Sequence, residues 1–237
     1  MRSGLSGVFV GATLLATAAG PAQADVSVFL SSPRWEFALP ENTSELVTFD
    51  EFTSDVAFED APLDVGPFTL RTDVAEPFDT GISNRIDAAP FADDSINNGV
   101  PVNGTPYARV GVNNDLFDRG DTTVSIVFDE PILAWGADFT AAATRELLDL
   151  ALFTDPNEPP VLVPVTVNAG FFGFVLDATD AGVTEVQFRS RLTLDGTEFF
   201  GLDNVRFASI PEPAGLALMG IFTVAAARTG RRSLARG

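Results

Sequence analysis

The sequence predicts an all-β protein, an antiparallel β-sandwich of jelly-roll-like type, flanked by one apolar helix at each end. Between residues 25 and 210, apolar side chains repeatedly alternate with polar ones, which is typical of strands that bury one face. Turn-forming Asp, Asn, Gly and Pro residues separate these runs, at about 10 to 15 residues per strand and turn. No long helical period interrupts the alternation, so the middle of the chain is expected to form sheets.

Individual strands can be placed from the alternating runs. Their apolar members are Val124, Ile126 and Phe128; Leu148, Leu150 and Leu152; Val161, Val163, Val165 and Val167; Val186 and Phe188; and Val205 and Phe207. The segment 80–104 is rich in Asn, Asp and Gly and is predicted to be a long loop, either functional or a passive surface excursion. The only helical candidate in this part of the chain is a short turn near Ala141–Leu147.

The N-terminal segment 1–24 has the three parts of a secretory signal peptide. Arg2 gives a positive start, Gly4–Ala19 is apolar and rich in small residues, and Ala22 and Ala24 form the small-x-small pattern that a signal peptidase reads. An ordinary buried helix is the alternative. The pattern predicts export, with cleavage after Ala24.

The C-terminal segment 211–237 is a second three-part signal. Pro211, Glu212 and Pro213 interrupt the chain, and Ala214–Ala227 then forms an uncharged run of 14 residues. The chain ends in an arginine cluster made of Arg228, Arg231, Arg232 and Arg236. As a helix the run measures about 21 Å, short of the roughly 30 Å of bilayer hydrocarbon, and the arginines are expected to stay cytoplasmic.

This tail resembles the PEP-CTERM sorting signal of Gram-negative bacteria. The resemblance implies that the chain crosses the inner membrane only transiently, through its C-terminal helix. It further implies recognition by an exosortase, a membrane-embedded cysteine protease, with processing near the Pro-Glu-Pro motif. The product would be released to the cell surface or into an exopolysaccharide matrix. The alternative is a simple helical anchor that is never cut.

Three stretches of the middle segment resemble extracellular domains commonly found ahead of such tails. The stretch 124–132 with 136–139 looks like their central hairpin, 199–207 like their closing strand, and 47–52 like their opening strand. Those domains are similar to carbohydrate-binding jelly rolls. Most of them have no assigned activity. One sandwich domain over 25–210 is expected from the strand alternation itself.

The composition excludes several kinds of chemistry. The chain has no Cys, no His and no Lys, and all 14 basic residues are Arg. Ser-His-Asp and Cys-His nucleophile systems, Cys/His zinc sites and lysine Schiff bases therefore cannot be built. No disulfide can form, so the domain must be held together by packing.

The charge of the chain is concentrated in its middle segment. Residues 25–210 hold 32 of the 33 acidic residues and 9 of the 14 arginines, a formal charge of 9 − 32 = −23. Such a surface repels nucleic acid, which is excluded as a partner, and other polyanions at low salt. It serves either solubility or a function in which divalent cations bridge carboxylates.

The sequence offers one candidate metal site. In jelly-roll modules the first and last strands are often neighbours, so Asp50 and Glu51 are expected to lie near Asp203 and Asn204. Their oxygen atoms are ligands that Ca²⁺ accepts. Calcium is therefore the candidate cofactor, with ordinary turn chemistry as the alternative interpretation of the Asp-Asn pair.

Three aromatic residues could stack on sugar rings if they were exposed. These are Trp35, Trp135 and Tyr107; Trp135 follows an apolar run and is expected in the core. Trp35 has polar neighbours and is the better candidate for an exposed ring.

The acidic residues do not form a recognisable catalytic motif. Asn113, Asn114 and Asp115, with Asp118 and Asp121, fail the EF-hand pattern and are expected to form a solvated hairpin loop. The Glu-x-Asp-x-x-Glu arrangement of jelly-roll glucanases is also missing; the nearest set is Glu51, Asp55, Glu59 and Asp60. An enzyme is therefore not expected.

These observations rank three functional hypotheses. The first is an exported surface or extracellular-matrix protein with a structural or interaction role in an exopolysaccharide layer. The second is a calcium-dependent carbohydrate-binding module, and the third is a glycoside hydrolase that uses only carboxylates.

Overall fold

The computed structural model describes most of the middle segment of the chain. The described residues are 25–40, 43–73, 84–88, 105–114, 121–140, 148–155, 157–177, 182–191 and 196–210. The predicted signal peptide, the sorting tail and the turn near Ala141–Leu147 lie outside them. None of the helical structure described has the length and apolar character needed to cross a membrane.

The described residues form thirteen strands and one helix. The strands are β1 (Val26–Phe29), β2 (Ser44–Val47), β3 (Val56–Ala57), β4 (Leu63–Asp64), β5 (Phe68–Asp73), β6 (Arg85–Asp87), β7 (Tyr107–Asn114), β8 (Thr123–Thr140), β9 (Leu148–Phe153), β10 (Val161–Pro164), β11 (Gly170–Leu176), β12 (Val183–Ser190) and β13 (Gly196–Ser209); α1 is Ser32–Ala38. All pairings between them are antiparallel.

Strand β8 joins the two layers of the sandwich. Its first part, Thr123–Phe128, pairs with β5 and β12, and β12 continues through β9 to β10. Its second part, Ile132–Thr140, lies between β11 and β13, and β13 continues through β7 to β6 and β3. The two sets of strands enclose one core, which confirms the predicted all-β, sandwich-like fold.

The central hairpin implied by the resemblance is wrong, because the chain bends without reversing. The exposed residues Asp129, Glu130 and Pro131 lie inside the 18-residue strand β8. Pro131 has no N–H to donate to a sheet, and its carbonyl accepts a bond from the Ile210 N–H at 3.2 Å. A register shift on β12 between Val183 and Glu185 accompanies the bend.

The core lies between the two layers and is rich in phenylalanine. The apolar residues of the predicted runs are buried or packed against this core, and all lie in strands except Val165 and Val167, which follow the end of β10 at Pro164. Phe188 of β12 and Phe200 of β13 bring the layers together, with ring centroids 5.2 Å apart. Trp135 stands 5.9 Å from Phe188 and is fully buried.

Two described segments differ from the prediction. The loop expected over 80–104 contains strand β6, which pairs with β3 and β7; three residues are too few to show alternation. The opening strand expected over 47–52 is instead β2, which ends at Val47. Helix α1 was not predicted, since its seven residues bury only Trp35 and so show no helical period.

Candidate functional site

The first polar group with functional potential surrounds Asp203 on β13. This carboxylate is 1% exposed and accepts bonds from the Thr105 hydroxyl at 3.0 Å and the Asn204 N–H at 2.7 Å. Burial raises the pKa of Asp203 above its ordinary value, and the two hydrogen bonds oppose this rise. The negative charges of Asp50 and Asp138 add to it, so both carboxylates lie close enough to Asp203 to repel its charge.

Asn204 lies between Asp203 and Arg206 on β13 and is hydrogen-bonded to both of them. It has a left-handed backbone, with φ of 49°, where the register of β13 shifts against β8. Its amide donates to Asp138 Oδ2 at 3.0 Å, and Arg206 donates to the Asn204 carbonyl at 3.1 Å. Arg206 also lies 3.6 Å from Asp138 and 3.7 Å from Glu36, with its guanidinium 5.7 Å from the Phe171 ring centroid.

The structure brings together part of the predicted calcium site. Asp50, Asp203 and Asn204 come close to one another, whereas no contact among the described residues joins the exposed Glu51 to them. Asp138, which sequence reasoning missed, faces Asp203 across the paired strands β8 and β13. Within the described part of the chain, no three acidic side chains gather into a group that could hold a metal ion. Calcium binding therefore stays a prediction.

The predicted sugar-stacking aromatics are buried. Trp135 is 0% exposed, as expected for a core residue, and Tyr107 is 1% exposed. The exposed ring expected at Trp35 is wrong, because this residue is also 0% exposed. Trp35 projects from α1 onto the outer face of the sheet, where its indole N–H donates to the Phe174 carbonyl at 2.9 Å. The residues beside Trp35 in the sequence lie on the faces of α1 that are not buried, since Trp35 is the only buried residue of this helix.

A second polar group crosses the outer face of the other layer, and we call it the polar ladder. Arg71 lies 3.3 Å from Glu185, which accepts a bond from the Ser125 hydroxyl at 2.6 Å. The Gln187 amide donates to Ser125 at 3.3 Å, and Arg189 Nε donates to the Gln187 carbonyl oxygen at 2.6 Å. Strand register places Arg71 and Gln187 on opposite sides of Ser125, so three strands hold the chain of bonds in place.

A cleft of about 300 Å³ lies at the Arg189 end of the polar ladder. Its lining consists of Asp121, Thr123, Gln187, Arg189 and Ser190, and we call it the polar cleft. The Arg189 guanidinium lies 5.5 Å from the Phe153 ring centroid. Sequence reasoning missed this site, because no local motif marks residues that meet only through strand pairing.

A second cleft, of about 230 Å³, lies where β13 ends. Three carboxylates, from Glu45, Asp129 and Glu130, contribute to its lining together with Phe128 and Phe207. The described residues that line this opening include three carboxylates and no arginine, so they repel anions. It has no polar network comparable to the polar ladder among the described residues.

The carboxylates considered for hydrolysis lie elsewhere. Asp55 pairs with Arg85 at 3.3 Å, and burial, followed by the charge of Asp60, raises the pKa of Glu59. None of these residues lines either cleft. Of the second acidic group, Asp115 and Asp118 lie outside the described residues, and Asp121 lines the polar cleft. The absence of an enzymatic activity stays a prediction.

No family model matches this chain, and no curated protein matches it either.

Proposed function

We propose that this protein is an exported component of the cell surface or extracellular matrix of a Gram-negative bacterium. Its role there is structural or interactive, within an exopolysaccharide layer. The observation that carries the proposal is the order of Pro211, Glu212 and Pro213, the uncharged run Ala214–Ala227 and the closing arginine cluster. A signal peptidase and an exosortase would be the processing partners.

The folded domain supports this proposal through its boundaries. Strand β13 ends at Ser209, and the Ile210 N–H is still bonded to the Pro131 carbonyl. Pro211, the first residue of the motif, comes directly after Ile210 in the sequence, so the motif lies outside the strands of the sandwich described here. The domain also has no cysteine, so its folding does not depend on oxidation after export.

Mass spectrometry of the protein made by its native host tests the proposal. We expect secreted or surface material that starts at Asp25 and ends near Pro213, because both terminal signals are removed. Replacing Pro211, Glu212 and Pro213 by alanine should leave the tail attached and the protein in the membrane. Alanine replacements at Glu158 and Pro159, which lie in an exposed turn, are the matched control and should not change processing.

Two results would contradict the proposal in different ways. A cytosolic chain that still begins at Met1 and ends with its arginine cluster would refute export and sorting together. A membrane-bound chain that begins at Asp25 but keeps its arginines would refute exosortase processing and leave the plain anchor.

A further inference from the structure

We propose that the polar cleft binds an acidic saccharide and that Arg189 holds the sugar carboxylate. The inference rests on the proposed function for its partner class, since an exopolysaccharide layer supplies saccharides at high local concentration. The site itself is argued from the contacts of Arg189, the charges around it and the groups beside it.

Arg189 is held in one orientation but forms no ion pair within the described structure. Its Nε donates to Gln187 at 2.6 Å, and its guanidinium lies against the Phe153 ring. Gln187 is itself fixed by its bond to Ser125, which is 0% exposed. Because guanidinium recognises planar oxyanions through paired N–H groups, a fixed guanidinium without an ion-pair partner suits a carboxylate.

The other arginines on this face are engaged differently. Arg71 pairs with Asp73 and Glu185, each within 3.3 Å, and Arg191 pairs with Asp149 at 3.2 Å. Arg189 therefore differs from Arg71 and Arg191 in that no ion pair is described for it, although the carboxylate of Asp121 lines the same cleft.

The local charge also makes this cleft a better place for an anionic ligand than the rest of the surface. Among the described residues that line the polar cleft there is one arginine and one aspartate, a formal charge of 1 − 1 = 0. Segment 25–210 as a whole carries 9 − 32 = −23. An anionic ligand is repelled less at a neutral opening than at the surrounding carboxylates, especially when salt screens the longer distances.

The remaining lining groups favour a saccharide over a simple anion. Thr123 contributes a hydroxyl group that can bond to a sugar hydroxyl, and Ser190 and Asp121 add polar groups that already have interaction partners within the protein. A volume of about 300 Å³ is at the small end of ligand pockets, which suits a single sugar unit of a longer chain.

Calorimetric titration of the purified full-length chain at physiological salt tests the proposal. The probes are tetrasaccharides of galacturonate and of glucuronate, with a neutral galactose tetrasaccharide and a glutamate tetrapeptide as comparisons. We expect at least one acidic saccharide to bind and both comparison ligands to bind more weakly. The variant R189Q should weaken that binding by about tenfold or more, and R189K should lose much of it because lysine lacks the planar fork.

The variant R191Q is the matched control. It removes the same charge from the same strand end, but Arg191 does not line the cleft. Binding that falls equally in R189Q and R191Q would overturn the proposal, as would tighter binding of the peptide or no binding of either acidic saccharide. The melting temperature of each variant verifies that it is folded.

Failure of this inference can be told apart from failure of the proposed function. A processed, surface-exposed protein that binds neither acidic saccharide refutes only the assignment of the cleft. A protein that binds them through Arg189 but stays unprocessed in the cytosol refutes only the sorting proposal.

Discussion

The surroundings of Asp203 contain some groups that favour the charged form of its carboxylate and others that disfavour it. The hydrogen bonds from Thr105 and Asn204 favour its charged form. Burial and the charges of Asp50 and Asp138 disfavour it, and burial is the largest influence on its pKa. The site therefore holds a proton more tightly when the protein is folded than when it is unfolded.

We predict that the unfolding free energy contributed by Asp203 rises as pH falls. The folded-state pKa is raised above the unfolded value, so between these two values the folded state binds more protons and is stabilised by acid. The stabilisation should grow as pH falls through the raised folded-state pKa and be complete below the ordinary aspartate pKa of about 4. Asn cannot titrate, so urea unfolding of D203N over the same pH range should lack this contribution.

A second variant tests the sign of this effect. T105V removes a donor that lowers the pKa of Asp203, so its stability should increase more steeply with acid than that of the unmodified protein. Equal pH dependence in D203N and the unmodified protein would contradict the prediction. Other groups with raised pKa values, such as Asp149, are common to all three proteins and cancel in the comparison.

Helix α1 is an element that buries one side chain against the sheet. Trp35 is its only buried residue, and it forms an edge contact with Phe171 at 6.0 Å between ring centroids. Phe37, on the same helix, is 93% exposed. The docking of the helix therefore depends on the indole ring and its bond to the Phe174 carbonyl.

We predict that W35A destabilises the protein by about 3–5 kcal/mol, the usual cost of deleting a buried aromatic ring. W35F keeps most of the ring but leaves the Phe174 carbonyl without its donor, and should cost about 1–3 kcal/mol. F37A, the matched control on the same helix, should change stability by less than about 0.5 kcal/mol. Chemical denaturation measures all three, and similar effects of W35A and F37A would show that α1 is not anchored through Trp35.

Elements were predictable from the sequence where many residues of one run share a buried face. Val124, Ile126 and Phe128 are an example, since each second side chain enters the core. The bend in β8 was not predictable, because Pro131 and its acidic neighbours have the local composition of a turn. Residues 129–131 have no strand partner themselves, but Phe128 pairs with Phe68 just before them and Ile132 pairs with Val183 and Ser209 just after them, and this pairing is a tertiary effect.

The candidate sites were predictable only in part for the same reason. Asp203 and Asn204 are adjacent in sequence and could be singled out, but Thr105 lies 98 positions from Asp203. The polar ladder joins Arg71 to Glu185 across 114 positions. No spacing rule within a single sequence connects such residues until the strand order is known.

The molecule as a whole carries far more negative than positive charge. The full chain has a formal net charge of −19 at pH 7. The ion pairs described for Arg71, Arg85, Arg191 and Arg206 neutralise only a few of the carboxylates. Mutual repulsion of the remaining charges should oppose the compact state more than surface ion pairs support it.

We therefore predict that salt stabilises this protein. Between about 10 mM and 0.5 M NaCl the Debye length shrinks from roughly 30 Å to less than 8 Å, so repulsion between distant carboxylates is screened. The melting temperature should rise by several degrees, since about 1 kcal/mol corresponds to roughly 2–4 °C for a domain of this size.

A variant with less charge provides the control for the salt prediction. Replacing the exposed residues Glu51, Glu130 and Glu158 by glutamine changes the formal charge to −19 + 3 = −16 and should reduce the response to salt. A melting temperature that falls with salt would mean that ion pairs outweigh repulsion.

A titration with CaCl₂ at the same ionic strength separates charge screening from specific calcium binding. Only a calcium site produces a further rise in melting temperature that saturates with calcium concentration. If E51Q, D203N and N204A all leave such a rise unchanged, calcium binds elsewhere than at the predicted residues.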